Sequence, residues 1–455
     1  MRKKLSLLII SFLLLLSLSL SIAKENIQTI TITAWTIGPD RPSFYRRDNL
    51  IDAARKLNAL LEKESSNIRV KVEATFDTGT WADYKQKFIL SASAGKAPDI
   101  ILSGHEDVAP WGEAGYIIPL DDLIKKYKDT TGLKDIIPTL WKSVQYKEKT
   151  WAIPQDSEAR PLYYRKDLLK KLGWTERQIN DLPKKIQKGE FTIYDMLELA
   201  KTAQDKGIIA KGYGFWPRPR KGNDFYIYYY NFGGEMQDPK TGKLILVKDA
   251  LRRYYQLFAD TIFKYKTTPE KYIGLEWRIW HESVVAGKVL FWQGGTWHWA
   301  EWQQVYKADP DDMEKNVGYA LVPPAENGKP GVTLTHPLAY MVTKDSKYPE
   351  LAFRLIALAT NPVFDARHAV TSAHLPVLTS TWKQSTYYKN KFLREVEYML
   401  KFTTFIPNSP DFGTYDEIVF KGVSAVANGD VTPESAVDIV VRDLENALGD
   451  RVIIK

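Results

Sequence analysis

Between Thr29 and Leu102 the hydrophobic pattern of the chain switches back and forth between strict alternation and helical spacing. TITITAW alternates, placing Ile30, Ile32 and Ala34 on one face and Trp35 at its end. NLIDAARKLNALLEKE follows, with Leu50, Ala54, Leu57 and Leu61 one above the other on a helix. IRVKVEATF alternates again, with Ile68, Val70, Val72, Ala74 and Phe76 facing one way. ADYKQKFILSASAGK reads as a helix stopped by Gly95, and APDIIL as a short strand buried on both faces. Strand, helix, strand, helix, strand requires a parallel or mostly parallel sheet joined by crossover helices, so the fold class is α/β.

A chain of 455 residues exceeds one ordinary core, which predicts two lobes. Its net charge of +8 includes Arg2, Lys3 and Lys4, and the other basic residues are interspersed with acids. That distribution leaves no electrostatic footprint for nucleic acid. Residues 1–23 combine a basic start, a long apolar run and the small residues Ser21 and Ala23, which predicts a secretory signal cleaved after Ala23. The run is also long enough to serve, uncleaved, as a membrane anchor. An exported protein is therefore expected, in a periplasm or at the cell surface. With no cysteine, the chain has no disulfide, no thiolate chemistry and no lipid-bearing cysteine. Its six histidines lack ligand spacing, and no phosphate loop, dinucleotide fingerprint or G-x-S-x-G is present, so neither metal nor cofactor is expected.

From Pro161 to about Tyr272 the pattern is mostly helical, in LYYRKDLLKKLGW, TIYDMLELAKTAQ and DALRRYYQLFADTIF. An aromatic, loop-rich interruption covers 215–234. VGYALVPP and LAYMVTK read as strands around the turn ENGKPG, and PELAFRLIALATN as a helix. The last helix has Thr432 as N-cap, Pro433 in its first turn and Gly449 at its stop.

The order of phrases resembles the extracellular solute-binding proteins of ATP-driven importers, the maltose-binding-like family. AGKAPDIILSGHED, GYIIPLDDL, YKEKTWAIPQDSEARPLYYRKDLL, ESVVAGKVLFWQGGTWHW, HPLAYMVTKDSKYPELAFRLIA and VTPESAVDIVVRDLENAL occur in the family's sequence order. The resemblance implies a type II periplasmic-binding-protein fold with a ligand cleft between two lobes and three crossings near 155–161, 333–337 and 374–379. It implies a first lobe of 24–157 and 336–375 and a second of 158–335 and 376–455, closing like a jaw on a carbohydrate. A monomer working with membrane permease subunits is expected.

Ligands of open sheets lie beyond the carboxyl ends of the strands, which selects Trp35, Asp77 and Ser103 to Glu106. The resemblance adds Asp40 and Arg41 after the first strand, and Glu106 and His105 as hydroxyl partners. It adds Glu158 and Arg160 at the first crossing and His336 at the second. Trp216 lies in a Pro/Gly-rich loop and Asp224 follows it. In the family a GG-x-W turn presents its tryptophan to the cleft, so Gly295 and Trp297 of WQGGTWHWAEW take that role, with the other three tryptophans left to packing. Tyr415 and Asp416 fall where the maltose binder stacks a tryptophan, which points to a different sugar. The rival reading is a secreted glycoside hydrolase, which would need paired carboxylates about 5–5.5 Å apart in a retaining enzyme.

Overall fold

In the computed structural model, residues 27–455 are described. The proposed leader at 1–23 lies outside them. Strand β1 (Gln28–Ile37) runs into helix α1 (Tyr45–Lys63), β2 (Ile68–Asp77), α2 (Trp81–Ser93) and β3 (Ile100–Gly104). Both β2 and β3 pair with β1 in parallel, as the crossover pattern requires. Ile30, Ile32 and Ala34 are buried, and so are Leu50, Ala54, Leu57 and Leu61 of α1 against them. Of the alternating set on β2 only Val70 is fully buried, because β2 is the edge of the sheet. Past α2 the chain turns at Gly95 with φ +66°, the left-handed conformation that glycine adopts without steric cost.

The sheet order is β2-β1-β3-β9-β4, where β4 is Ile153–Asp156 and β9 is Leu338–Val342. β9 runs antiparallel to both neighbours, so a late segment returns to complete this sheet and makes it mixed. A second sheet contains β5 (Leu162–Arg165), β6 (Phe215–Trp216), β7 (Phe291–Gln293) and β8 (Val317–Ala320), in the order β8-β5-β7-β6. The helix expected over LYYRKDLLKKLGW is split. Leu162–Arg165 forms the central strand β5, because an all-buried run between two partners satisfies its backbone in the sheet, and only the lysine-rich part coils.

Two separate hydrophobic cores form around the two sheets. The second is finished by helices α3 (Phe225–Asn231), α4 (Trp277–Val285) and α5 (His298–Gln304), then, near the C-terminus, by α8 (Phe412–Asn428) and α9 (Pro433–Leu448). Thr432 caps α9 as expected, accepting from the Ser435 amide at 3.2 Å. Between these, α6 (Pro349–Ala359) packs on the first core. Helix α7 (Pro362–Ser372) lies across the boundary: Phe364 belongs to the first core, Ala366 and Ala369 to the second. Leu375 then packs in the second core, Val377 and Leu378 in the first. Residues 364–378 are therefore shared by the two.

The chain also passes from core to core between β4 and β5 and again before β9, and these passages are stitched together. Ser157 and Leu375 exchange backbone hydrogen bonds of 3.1 and 2.7 Å. Thr333 Oγ1 accepts from the Arg160 amide at 2.7 Å, and Thr335 Oγ1 accepts from that of Glu158 at 3.3 Å. Three strands of chain thus run side by side at the junction with few covalent crossings, the architecture of a hinge.

Trp292 at the centre of β7 is fully buried, stacked on Tyr163 at 5.7 Å and edge-on to Trp302 at 6.0 Å. Trp292→Ala is expected to cost about 3–5 kcal/mol of stability, the range for emptying a large aromatic site. Urea unfolding monitored by far-UV circular dichroism would measure it.

Candidate functional site

The carboxyl ends of β1 and β4 bring charged groups to the boundary between the cores. Arg46 leads this set. It lies on the same stripe of α1 as Leu50, Ala54 and Leu57, so a guanidinium is carried into the interior with the apolar side chains. There it donates to the Ile37 carbonyl and to Asp156, each at 2.9 Å, and to His374 Nε2 at 3.0 Å. Asp40 stands 3.7 Å from it and accepts from the Ser43 hydroxyl. His368 donates to the same Asp156 oxygen at 2.9 Å. Burial alone would raise the Asp156 carboxyl, but Arg46 and the two histidines outweigh it and hold it well below the usual carboxylate range.

A second charged set faces it from the other core. Arg160 donates to Asp224 at 2.6 Å and to Glu158 at 2.9 Å, and Arg218 adds a bond to Asp224 at 3.3 Å. Gln293, at the end of β7, donates to the other Asp224 oxygen at 3.2 Å. Burial raises Glu158 more than Arg160 lowers it, whereas Asp224, under two guanidiniums, is held below its ordinary value despite burial.

Between the two sets stands Trp297, half-buried at the start of α5. Its ring is parallel to that of His374, 14° apart in plane at 5.8 Å, and the Arg160 guanidinium lies 5.0 Å from its centroid. The paired glycines have distinct reasons to be there. A Cβ at Gly295 would sit 1.9 Å from the Trp297 ring, and one at Gly294 would sit 2.8 Å from His298 Nδ1. Each residue gives its missing side chain to a different ring.

The sequence-predicted residues divide by place. Asp40, Glu158, Arg160, Asp224, Gly295 and Trp297 come together at the boundary. Ser103, His105, Glu106 and His336 form a second cluster around Lys85, which bonds Glu106 at 2.7 Å and Asp107 at 2.8 Å. Ser103 donates to Asp107, and His336 bonds the free Glu106 oxygen at 2.6 Å. Burial would raise Glu106, but His336 and Lys85 hold it well below the usual value. His105 is fully buried, pulled down to about 4 by burial, and donates to the Ile406 carbonyl of the second core at 3.0 Å. It ties the cores together.

The remainder fall elsewhere. Asp77 accepts from the Gly79 amide and closes a local turn. Trp35 packs on the first core with Lys87 4.5 Å over its ring, and Arg41 is exposed at the turn with φ 64°. Trp216 is not a loop residue: it belongs to β6, where pairing with Trp292 demands a large apolar side chain, and its indole donates to the Gly212 carbonyl at 2.6 Å. Tyr415 likewise sits in the first turn of α8, inside the second core, donating to the Ile245 carbonyl at 3.0 Å. Asp416 beside it accepts from Tyr226 at 2.8 Å and pairs with Lys221.

Sequence reasoning left out Arg46, Asp156, Arg218 and Gln293, and read His368 and His374, before the third crossing, as structural residues that could also face the cleft. Arg46 carried a signal, since its position continues the apolar stripe of α1. Asp156 and Gln293 carried none, because their partners are more than sixty residues away, and Arg218 was one of several basic residues in its loop.

Three histidine–carboxylate groups have metal-like proximity among the described residues: His105–Glu106–His336, Asp156–His368–His374 and His281–His298–Glu301. None presents free lone pairs as a set. His281 Nδ1 accepts from the Trp302 indole at 2.9 Å and His298 Nδ1 from the Gly295 amide at 3.0 Å. Each imidazole is held neutral by burial, so the proton sits on Nε2, the atom that would have to bind a metal. In the other two groups Lys85 or Arg46 already supplies the positive charge.

Arg46→Met leaves Asp156 buried without its guanidinium, and a loss of about 3–5 kcal/mol is expected at neutral pH. An Asp with a depressed folded pKa stabilises the protein above its unfolded value, about 3.9, and loses that contribution as pH falls through the folded value. The gap between wild type and Arg46→Met is therefore largest near neutrality and narrows below about pH 4. Urea unfolding across that range measures the gap.

Residues 47–363 match the family model described as bacterial extracellular solute-binding protein. The maltodextrin-binding protein MdxE of Bacillus subtilis (strain 168) is 22% identical over 403 residues, covering 83% of this chain and 87% of that one. Among solved structures, a solute-binding protein of an ABC transporter from Thermotoga lettingae TMO, bound with α-D-tagatose, superposes with a TM-score of 0.71 at 21% identity, over 92% of this chain and all of that one. Maltose-bound MalE3 of T. maritima gives 0.69 at 20% identity, over 92% and 100%. Two sheets, a stitched junction and a match spanning both halves lead to one conclusion: this chain belongs to the bacterial extracellular solute-binding protein family.

Proposed function

We propose that the chain captures a carbohydrate, a di- or oligosaccharide, by closing its two lobes on it outside the cytoplasm, and presents it to the permease subunits of an ATP-driven importer. The lobes are 24–157 with 336–375 and 158–335 with 376–455, and the shared segment around α7 flexes with the junction. In this reading residues 1–23 direct export to a periplasm or the cell surface, and the protein works as a monomer.

The observation that carries the proposal is the half-buried Trp297 indole, set between two opposed sets of charged side chains. A flat ring matches the CH-rich face of a pyranose, and the sugar's edge hydroxyls need donors and acceptors around it. Those are supplied by Glu158, Arg160 and Asp224 from the second lobe and by Asp40 from the first, with Glu106 and His336 further along. Several atoms there have spare hydrogen-bonding capacity although buried, among them Arg160 Nε, Arg218 Nε, Gln293 Oε1 and Asp156 Oδ1. A hydroxyl that enters without finding a partner costs about 1–3 kcal/mol, which gives selectivity for stereochemistry. The similar proteins also support a sugar: maltodextrin is named for one, and tagatose and maltose are bound in two others.

Calorimetry against mono- and oligosaccharides tests the reading. Trp297→Ala is expected to weaken the bound sugar by about tenfold or more without changing the circular dichroism spectrum. Unchanged affinity would remove Trp297 from the site. Small-angle scattering should show a smaller radius of gyration with the sugar bound than without it; identical curves would rule out closure.

A further inference from the structure

A second concavity, of about 550 Å³, lies beside β8, the edge strand of the second sheet, and none of its lining residues belongs to the charged sets at the lobe boundary. Tyr163 is sealed in the core and donates to the Gly295 carbonyl at 3.0 Å, while its neighbour Tyr164 lines the concavity from one face of the sheet and Tyr319, paired with Tyr163, lines it from the other. The volume falls within the range of small-molecule sites, about 300–1,000 Å³.

Its lining is aromatic on one side and cationic on the other. Trp299 stacks on Phe392 at 4.4 Å and 6°, and Tyr319 stands edge-on to both at 88° and 87°. Tyr164 is 2% exposed, and its ring occupies the space that a side chain at Gly318 would need. Its hydroxyl makes no hydrogen bond with any described residue, so a donor at the wall of the concavity is unused. The charges there are Lys166, Lys389, Lys391, Glu314 and Glu395. Glu314 pairs with Lys391 at 2.7 Å and Glu395 accepts from the neutral Tyr319 hydroxyl, so lysines outnumber acids by one in the lining. Lys166, half-buried, donates only to the Glu314 carbonyl at 3.0 Å, and among the described residues neither it nor Lys389 forms an ion pair. Burial and the nearby Lys391 lower the Lys166 ammonium more than Glu395 and Glu314 raise it.

We propose that this concavity is a second solute site that takes an anionic sugar, its ring against Trp299 and Tyr319 and its carboxylate or phosphate received by Lys166 and the Tyr164 hydroxyl. Aromatic faces and an excess of lysines over acids in one concavity fit a molecule that carries both a CH-rich ring and a negative charge.

Calorimetry on the Trp297→Ala protein, checked for native circular dichroism, isolates this site from the lobe boundary. D-Glucuronate and D-glucose 6-phosphate are the probes, with D-glucose and inorganic phosphate as controls. Saturable binding of either anionic sugar is expected, with the responding probe distinguishing carboxylate from phosphate. Lys166→Gln should weaken it by about tenfold or more and Tyr164→Phe by several-fold, each leaving sugar binding at the lobe boundary of the otherwise native protein intact. The proposal is overturned if neither anionic sugar binds, if Lys166→Gln binds as well as its parent, or if inorganic phosphate binds equally well. It is also overturned if binding seen in the native protein disappears with Trp297→Ala, since that would place it at the lobe boundary.

Discussion

The junction depends on a guanidinium that has no access to water. Arg46 reaches the end of β1 through Ile37, the end of β4 through Asp156 and the shared segment through His374. A charge in that position would be intolerable alone, and its partners would be equally costly without it. The consequence is mutual: the geometry of each segment is fixed by the need to keep the others' charges paired. An apolar plug of the same volume would fill the space as well, but it would not hold three chain segments in one register.

The rest of the junction follows the same logic. The passages between lobes are bound by backbone and threonine hydrogen bonds, at Ser157–Leu375, Thr333–Arg160 and Thr335–Glu158. Apolar burial is concentrated instead in the two separate cores. Opening would therefore exchange hydrogen bonds for hydration without dissolving either core, which keeps the energy of the motion small compared with that of unfolding.

How much of this could be read from the sequence depended on the range of the interaction. Local periodicity identified β1, α1, β3 and α9, because burial of one face follows from residues a few positions apart. It failed at LYYR, where a strand is stable only because β7 and β8, more than a hundred residues later, pair with it. The candidate site followed the same rule. That Glu158, Arg160 and Trp297 belong at the lobe boundary was legible through their phrases, whereas Asp156 looked like one more polar residue until the fold set Arg46 beside it. Trp216 misled for the opposite reason, since proline and glycine around it describe the loop that follows, while β7 recruits the ring itself into the sheet.

The four tryptophans of WQGGTWHWAEW show how strand and helix geometry sorts identical side chains into different environments. Trp292 ends up within a strand whose two faces are covered, so it packs. After the glycine turn the chain enters α5, and successive positions there point about 100° apart. Trp297 at the cap therefore faces the lobe boundary, Trp299 turns to the opposite side and stacks on Phe392, and Trp302 swings inward to give its N–H to His281. That last bond fixes the proton of His281, just as the Gly295 amide fixes that of His298. The two neutral rings then pack against Trp280 at 4.8 and 5.3 Å. The boundary ring consequently rests on a platform of aromatic and imidazole groups whose tautomers are set by the same short segment. The position of the Trp297 ring is therefore set by the packing behind it as much as by the indole itself.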